Sequence, residues 1–225
     1  MEILKLLKER HAVRSYTNEK ITKSIKEELE KTIATCNKEG NLNIKLMLNE
    51  PKAFNTFMAH YGKFNNVNNY IVLIGKNAPD LEEKCGYYGE KIVLKAQELG
   101  LNTCFVALTY GKNKIPYKLA TNEKLVCSIA IGYGLTKGVS HKIKTFEDVS
   151  KSINNVPEWY KRGIEYALLA PTAVNQQKFC FELLPNNKVK ALPGTGFYTK
   201  VDLGIVKYNF ELGAGTNNFS WENNR

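Results

Sequence analysis

Arg10, His11 and Arg14 stand close together in Glu9-Arg10-His11-Ala12-Val13-Arg14-Ser15-Tyr16. A guanidinium donates two parallel hydrogen bonds to paired oxyanion oxygens, so this stretch suits a phosphate. It also follows an amphipathic helix, and cations at a helix C-terminus are favoured on electrostatic grounds alone. A second polar string, Ala170-Pro171-Thr172-Ala173-Val174-Asn175-Gln176-Gln177, lies in the last quarter of the chain. Pro171 ends a helix and Asn175 makes a turn, which accounts for two residues but not for the whole string.

Other chemistries find less support. Five cysteines, an odd number without a CxxC pair, read as reduced thiols of a cytosolic protein rather than a disulfide framework. Cys104 reads as a buried strand cysteine. None of the three histidines has metal-ligand spacing with a cysteine or carboxylate, so no zinc or iron site is expected. Gly132-Tyr133-Gly134-Leu135-Thr136-Lys137-Gly138 fails as a dinucleotide fingerprint: its third glycine is one residue late, and a basic, polar stretch follows. There is no Walker loop and no nucleophile–base pair, and no side chain stands out as a general acid. The catalytic residues are left unassigned.

The formal charge of +10 favours an anionic ligand: phosphate, dinucleotide, nucleic acid or a membrane surface. Lysines spread along the whole chain also fit a merely basic surface. With 225 residues, 43% of them hydrophobic, the chain can build one large domain or two small ones. No apolar run approaches the roughly 18 residues of a membrane span. Charges interrupt the apolar block of the first eight residues, so an amphipathic helix is expected there rather than a secretory signal. A cytoplasmic protein is the expectation.

Periodicity predicts helices over Glu2–Lys8, from Thr22 or Ser24 to Gly40, after Pro51, over Leu81–Leu99, Pro116–Ala120, Phe146–Lys151, Glu158–Ala170 and Asp202–Leu212. Strands are predicted at Leu42–Leu48, Tyr70–Ile74, Thr103–Leu108, Leu125–Tyr133 and Phe179–Leu184. The Tyr70 run should be buried on both faces. Val189–Leu192 is expected to pair with Phe179–Leu184 across the Pro185-Asn186-Asn187 turn, and the tail from Gly213 to be loosely held. The order helix, turn, strand, later helix occurs twice. Gly86–Val93 aligns with Val201–Tyr208, and Glu28–Asn49 with Arg162–Asn186. This reads as a degenerate tandem repeat, a full unit over 1–150 and an abbreviated one over 151–225, packed as one globule.

Taken together, the two strings resemble the nitroreductase family of FMN enzymes. Leu7 to Tyr16 is similar to the family's Arg-Arg/His-Ser-x-Arg/Lys-x-Phe/Tyr opening, with Ala12 in place of the serine. Ala170 to Gln177 is similar to its Ala-Pro-Ser-x-x-Asn-x-Gln-Pro stretch, with Thr172 for serine and Lys178 for proline. Trp159 upstream resembles a subgroup that carries this second motif late. Leu99-Gly100-Leu101-Asn102-Thr103-Cys104-Phe105 and Ile131-Gly132-Tyr133-Gly134 match further passages.

The resemblance implies an α+β fold, a mixed sheet flanked by helices, in a tandem pseudo-dimeric arrangement. It implies FMN, with Arg10, His11 and Arg14 contacting phosphate, ribityl chain and pyrimidine, and Ala12 only through its backbone. Tyr16 would be core packing. Leu108 and Thr109 would reach the flavin N5 edge with backbone amides, and Lys63 would approach the pyrimidine unless it faces solvent. Lys142 and Lys144 would form a phosphate-binding pair. Pro171, Thr172 and Ala173 would pack on the flavin, and Asn175 and Gln177 would hydrogen-bond its ribityl or phosphate region. The implied reaction passes a hydride from NAD(P)H through flavin N5 to a nitroaromatic, quinone or similar acceptor in ping-pong turnover. In the family the site spans a homodimer; a fused repeat would supply both halves and work as a monomer or homodimer. An FMN-binding member without turnover, and a basic nucleic-acid-binding protein, are the alternatives.

Overall fold

The computed structural model describes residues 3–152 and 154–222. They fall into two compact units, Arg10–Leu81 with Lys91–Ser140, and Met1–Glu9 with Glu82–Glu90 and His141–Arg225. Glu2 of the expected first helix lies outside the described residues.

The first unit is built on a four-stranded sheet of β1 (Lys45–Met47), β2 (Tyr70–Lys76), β3 (Asn102–Val106) and β4 (Glu123–Gly132), in the order β1-β2-β4-β3. Every pairing is antiparallel. Tyr70 to Gly75 of β2 are all buried, as an unbroken apolar run requires of a central strand. The buried Ser128 hydroxyl on β4 is satisfied by donating to the Ile71 carbonyl at 2.7 Å. α2 (Lys23–Gly40) starts at Thr22, whose hydroxyl accepts from the Ile25 amide, and stops at Asn41 in the left-handed region at φ 51°. α3 is short (Phe57–Tyr61) and capped by Thr56. Phe54 centres the core, its ring 5.3 Å from those of Phe64 and Tyr70 and 5.6 Å from Tyr110. Leu81–Glu98 forms α4, closed by Gly100 at φ 82°.

The second unit holds α1 (Ile3–Glu9), α5 (Phe146–Val149), α6 (Glu158–Leu168), β5 (Phe179–Leu184), β6 (Lys188–Pro193), α7 (Thr199–Ala214) and β7 (Ser220–Trp221). β5 and β6 form the expected hairpin, and β7 adds in parallel beside β6, giving a mixed sheet. Its core is aromatic. Phe210 of α7 stacks on Phe181 at 4.8 Å and meets Phe219 edge-on at 5.2 Å. Gly163 of α6 makes room for that ring: a Cβ there would lie 2.6 Å from Phe210.

Glu82–Glu90 of α4 crosses α7 at backbone contact, and the crossing is reciprocal. A Cβ on Gly86 would run into the Val201 carbonyl oxygen, and one on Gly204 into the Glu83 carbonyl oxygen. The nearest backbone nitrogens are that of Ile205, 3.1 Å from the first, and that of Tyr87, 2.6 Å from the second. The contacts thus pair Gly86 with Gly204 and Glu83 with Val201.

The α+β architecture is as expected, and four elements differ. The helix expected to start at Pro51 and to contain Phe54 begins only at Phe57. Pro116–Ala120 is not helical; a single 3-10 turn forms at Lys112–Lys114 instead. The strand expected over Leu42–Leu48 is only Lys45–Met47. The tail is not loose as far as Glu222. Trp221 packs on Phe219, ring centroids 4.9 Å apart, and donates its indole N–H to Glu211 at 2.6 Å.

Candidate functional site

The arginine segment follows α1 as extended chain, fixed by backbone bonds on both sides. The Val13 amide donates to the Thr103 carbonyl at 3.0 Å, Thr17 to Tyr133 at 2.8 Å and, in return, Leu135 to Ser15 at 2.9 Å. Asn65 completes the strap, donating to Arg14 and accepting from Tyr16. Extended alternation turns Val13 into the core and leaves Ala12 and Arg14 exposed. Arg10 is buried, with 4% of its surface accessible. Tyr16 is the core residue expected, donating its hydroxyl to the Val13 carbonyl at 2.6 Å. Gly134 and Gly138 bring the end of β4 against this segment. A Cβ on Gly138, at φ 70°, would lie 2.7 Å from the His11 Cβ and 3.0 Å from the Ala12 carbonyl oxygen. The result is a ledge whose exposed side carries Arg14 and Ala12, with His11 half-buried and Arg10 buried, a grouping of N–H donors suited to an anion.

Cys104 of β3 lies below this ledge. Burial pushes its thiol up, and the positive charges of Arg14 and Arg10 only partly oppose that. A protonated, buried thiol is no nucleophile. On the same unit, Lys63 is exposed with φ 60°, beside Gly62, whose added Cβ would meet the Thr109 hydroxyl at 2.5 Å. Lys63, Thr109 and the exposed Leu108 therefore share one edge.

The second unit gathers the remaining candidates. Gln177 is buried and its side-chain amide is fully used. Its Oε1 accepts from the Lys144 amide at 2.9 Å, while Nε2 donates to the Lys142 carbonyl at 2.7 Å and to Asn175 Oδ1 at 2.9 Å. Asn175 Nδ2 donates to the same Lys142 carbonyl, and the Lys144 ammonium donates to the Gln177 carbonyl at 2.9 Å. Asn175 and Gln177 thus act as struts between the Pro171 loop and the basic pair. Lys144 keeps two ammonium donors and Lys142 its whole exposed side chain.

One residue of this site was not singled out from sequence. Asp202, in the first turn of α7, accepts from the Ala173 amide at 2.9 Å and from Gln176 Nε2 at 2.7 Å. Burial pushes its carboxyl up to about 6, against the lowering effect of those two hydrogen bonds. The signal available was a lone acid among apolar residues at a helix start, which also fits an ordinary first-turn carboxylate. Among the described residues no helix is long and apolar enough to cross a membrane, and no group of histidine, cysteine and carboxylate side chains could hold a metal.

A family model described as "Putative TM nitroreductase" matches residues 2–214. No curated protein matches the chain. Among solved structures, a "putative nitroreductase" from Thermotoga maritima aligns at 20% identity with TM-score 0.66, covering 95% of this chain and 83% of its own. Another, from Desulfovibrio desulfuricans and solved in complex with FMN, aligns at 13% identity with TM-score 0.54, covering 66% and 94%. A third, from Parabacteroides distasonis, is described as a "putative NADH dehydrogenase/NAD(P)H nitroreductase"; it aligns at 17% identity with TM-score 0.52, covering 69% and 99%. These likenesses show the fold. The match over residues 2–214 shows the family: the chain belongs to the nitroreductases of that description and is an oxidoreductase.

Proposed function

We propose that the chain binds FMN and carries electrons from NAD(P)H to a nitroaromatic, quinone or similar acceptor. The observation that carries this reading is the donor ledge of Arg10, His11 and Arg14, strapped in extended form with Gly138 against its backbone. Its chemistry fits the group: a phosphate dianion takes charge-assisted hydrogen bonds from several N–H donors at once. Arg10, His11 and Arg14 would hold the phosphate, ribityl chain and pyrimidine, with the Ala12 backbone between them. Lys63, Leu108 and Thr109 would serve the isoalloxazine edge. Pro171, Thr172 and Ala173 would pack on the flavin, Lys142 and Lys144 would offer further charge to the phosphate, and Asn175 and Gln177 would shape that loop. Bound FMN would supply hydride acceptance and donation, leaving the side chains to bind, orient and exclude water. A cytoplasmic protein, monomeric or homodimeric, is the setting proposed.

The test is an absorbance spectrum of the purified protein reconstituted with FMN, before and after NADH or NADPH under nitrogen. Flavin bands that bleach are expected; no flavin bands would overturn the reading. Bands that neither nucleotide bleaches would leave FMN binding without turnover. Arg14→Ala is expected to weaken FMN binding by about 1.5–3 kcal/mol, or about 10- to 150-fold, as a lost charge-assisted hydrogen bond does. Unchanged affinity in a fluorescence titration would remove Arg14 from the site.

We also infer that the chain is an internal duplication, a full unit over 1–150 and an abbreviated one over 151–225. The reciprocal pairing of Gly86 with Gly204 supports it, since contacts of the form i-to-j and j-to-i are the mark of a two-fold interface.

A further inference from the structure

The Pro171–Gln177 loop is strained where it turns. Val174, Asn175 and Gln177 have φ of 45°, 55° and 44°, in the left-handed region that non-glycine residues avoid and that a β-branched side chain tolerates least. Such a backbone persists only where its surroundings over-determine it. Gln177 ties one end of the loop to the Lys142–Lys144 strand of chain. The other tie is Asp202, 2% exposed, whose two oxygens hold positions on either side of Val174: the Ala173 amide at 2.9 Å and Gln176 Nε2 at 2.7 Å. Gln176 Nε2 also donates to the Phe197 carbonyl at 3.0 Å, so the carboxylate anchors a three-way junction.

An ionised carboxylate accepts at both oxygens. A protonated one keeps one good acceptor oxygen, and its hydroxyl oxygen accepts only weakly, so one of the two N–H donors loses the better part of its bond. No neighbouring charge acts on this carboxyl as strongly as burial and its two hydrogen bonds, and several ionisable groups on the elements around it are engaged elsewhere. The Lys178 ammonium donates to the Thr195 carbonyl, Glu83 of α4 pairs with Lys207 of α7 at 2.6 Å, and Tyr87 donates to Glu211. Glu82, Lys84, Cys85, Tyr88 and Lys200 share those helix turns, with Tyr198 just before α7. The loop itself carries no charge. Burial and the two hydrogen bonds alone set the carboxyl of Asp202, which titrates at about 6.

We propose that Asp202 is a positioning residue for the flavin: its ionised carboxylate holds Ala173 and Gln176 in the binding conformation, and loop order and FMN affinity fall together when it is protonated. This rests on the FMN reading above.

The test has two arms. In apo protein labelled with nitrogen-15, the Ala173 amide resonance is followed from pH 4.5 to 8. It should titrate near pH 6 in the wild type and stay flat in Asp202→Asn. Fluorescence titration then gives FMN dissociation constants for both proteins at pH 5 and pH 7.5, and the ratio between them cancels every other ionisation, including that of the FMN phosphate. Wild type should bind about 10-fold tighter than the variant at pH 7.5 and equally at pH 5, on the loss of one hydrogen bond to a charged acceptor. An Ala173 resonance that does not titrate overturns the proposal. So does a ratio that is the same at both pH values. A titrating Ala173 in a protein that binds no FMN at any pH overturns the flavin reading, and the positioning role with it, while the hold of Asp202 on the loop stands.

Discussion

Gly204→Ala is expected to destabilise the protein by about 3 kcal/mol or more, a fall in melting temperature of about 6–12 °C for a chain of this size. An alanine inside a helix ordinarily gains about 1 kcal/mol over glycine. Here the sign reverses, because the added methyl collides with the Glu83 carbonyl oxygen and lies 2.6 Å from the Tyr87 amide nitrogen. Both obstacles are backbone, which no rotamer change can move. The two helices must separate, opening space along the whole crossing. Gly86→Ala meets the Val201 carbonyl in the same way and should behave alike. The double variant should cost clearly less than the two singles added, since one separation relieves both collisions. Gly100→Ala is the control: open space surrounds it and only its φ of 82° is unfavourable, worth about 1–2 kcal/mol. Thermal melts with tolerated alanines at 86 and 204 would refute the close crossing.

Asp202→Asn should move stability in the opposite direction to FMN affinity. Burial raises the carboxyl from its ordinary value of 3.8 to about 6 in the fold, so the fold favours its neutral form. Its contribution to stability is therefore fully present below about pH 4 and is lost as pH rises through 6. Above that, holding the ionised group buried costs about 3 kcal/mol, at about 1.4 kcal/mol per pH unit. The asparagine carries no such cost but faces Gln176 with a second N–H, which takes back about 1 kcal/mol. Chemical denaturation should find the variant about 2 kcal/mol more stable than wild type at pH 7.5, with the advantage gone by pH 4. An advantage that does not change with pH would show that Asp202 is not the titrating group. The pairing of higher stability with weaker flavin binding is what a residue kept for positioning predicts.

Much of this was readable from local pattern. The run from Tyr70 to Ile74 is too apolar and too short to be anything but a buried strand, and β2 extends it by two residues. Leu81 to Leu99 has helical periodicity with a glycine stop, and α4 ends one residue earlier. Pro116–Ala120 misled because five residues are too few to nucleate a helix unaided. Its groups are claimed from afar instead: the Tyr117 hydroxyl donates to Glu123 and accepts from Asn43, and Glu123 also takes the Ala120 amide. β7 left no local trace, since its parallel partner β6 lies some thirty residues back. The same division holds for the site. Residue type announced Arg10, His11 and Arg14, but the bonds that stretch them out come from Asn65, Thr103 and Tyr133. The chemistry of Asn175 and Gln177 was visible while their direction, toward Lys142 and Lys144, was not.

The crossing of α4 and α7 has one more implication. A seam between two identical copies receives every mutation twice, so each side chain must be tolerable in both settings at once. Here each position is altered alone. The glycines, which backbone distance demands, remain matched across the seam. On the duplication proposed above, the polar contacts would have diverged: Tyr87 donates to Glu211, whereas the residues that would answer to them are Ile205 and Val93, which can form no such bond. Glu83 pairs with Lys207, and their counterparts are Val201 and Gly89. On the duplication proposed above, covalent continuity would release the side chains from symmetry while leaving the backbones bound by it, and one half of the chain would be free to specialise without spoiling the other.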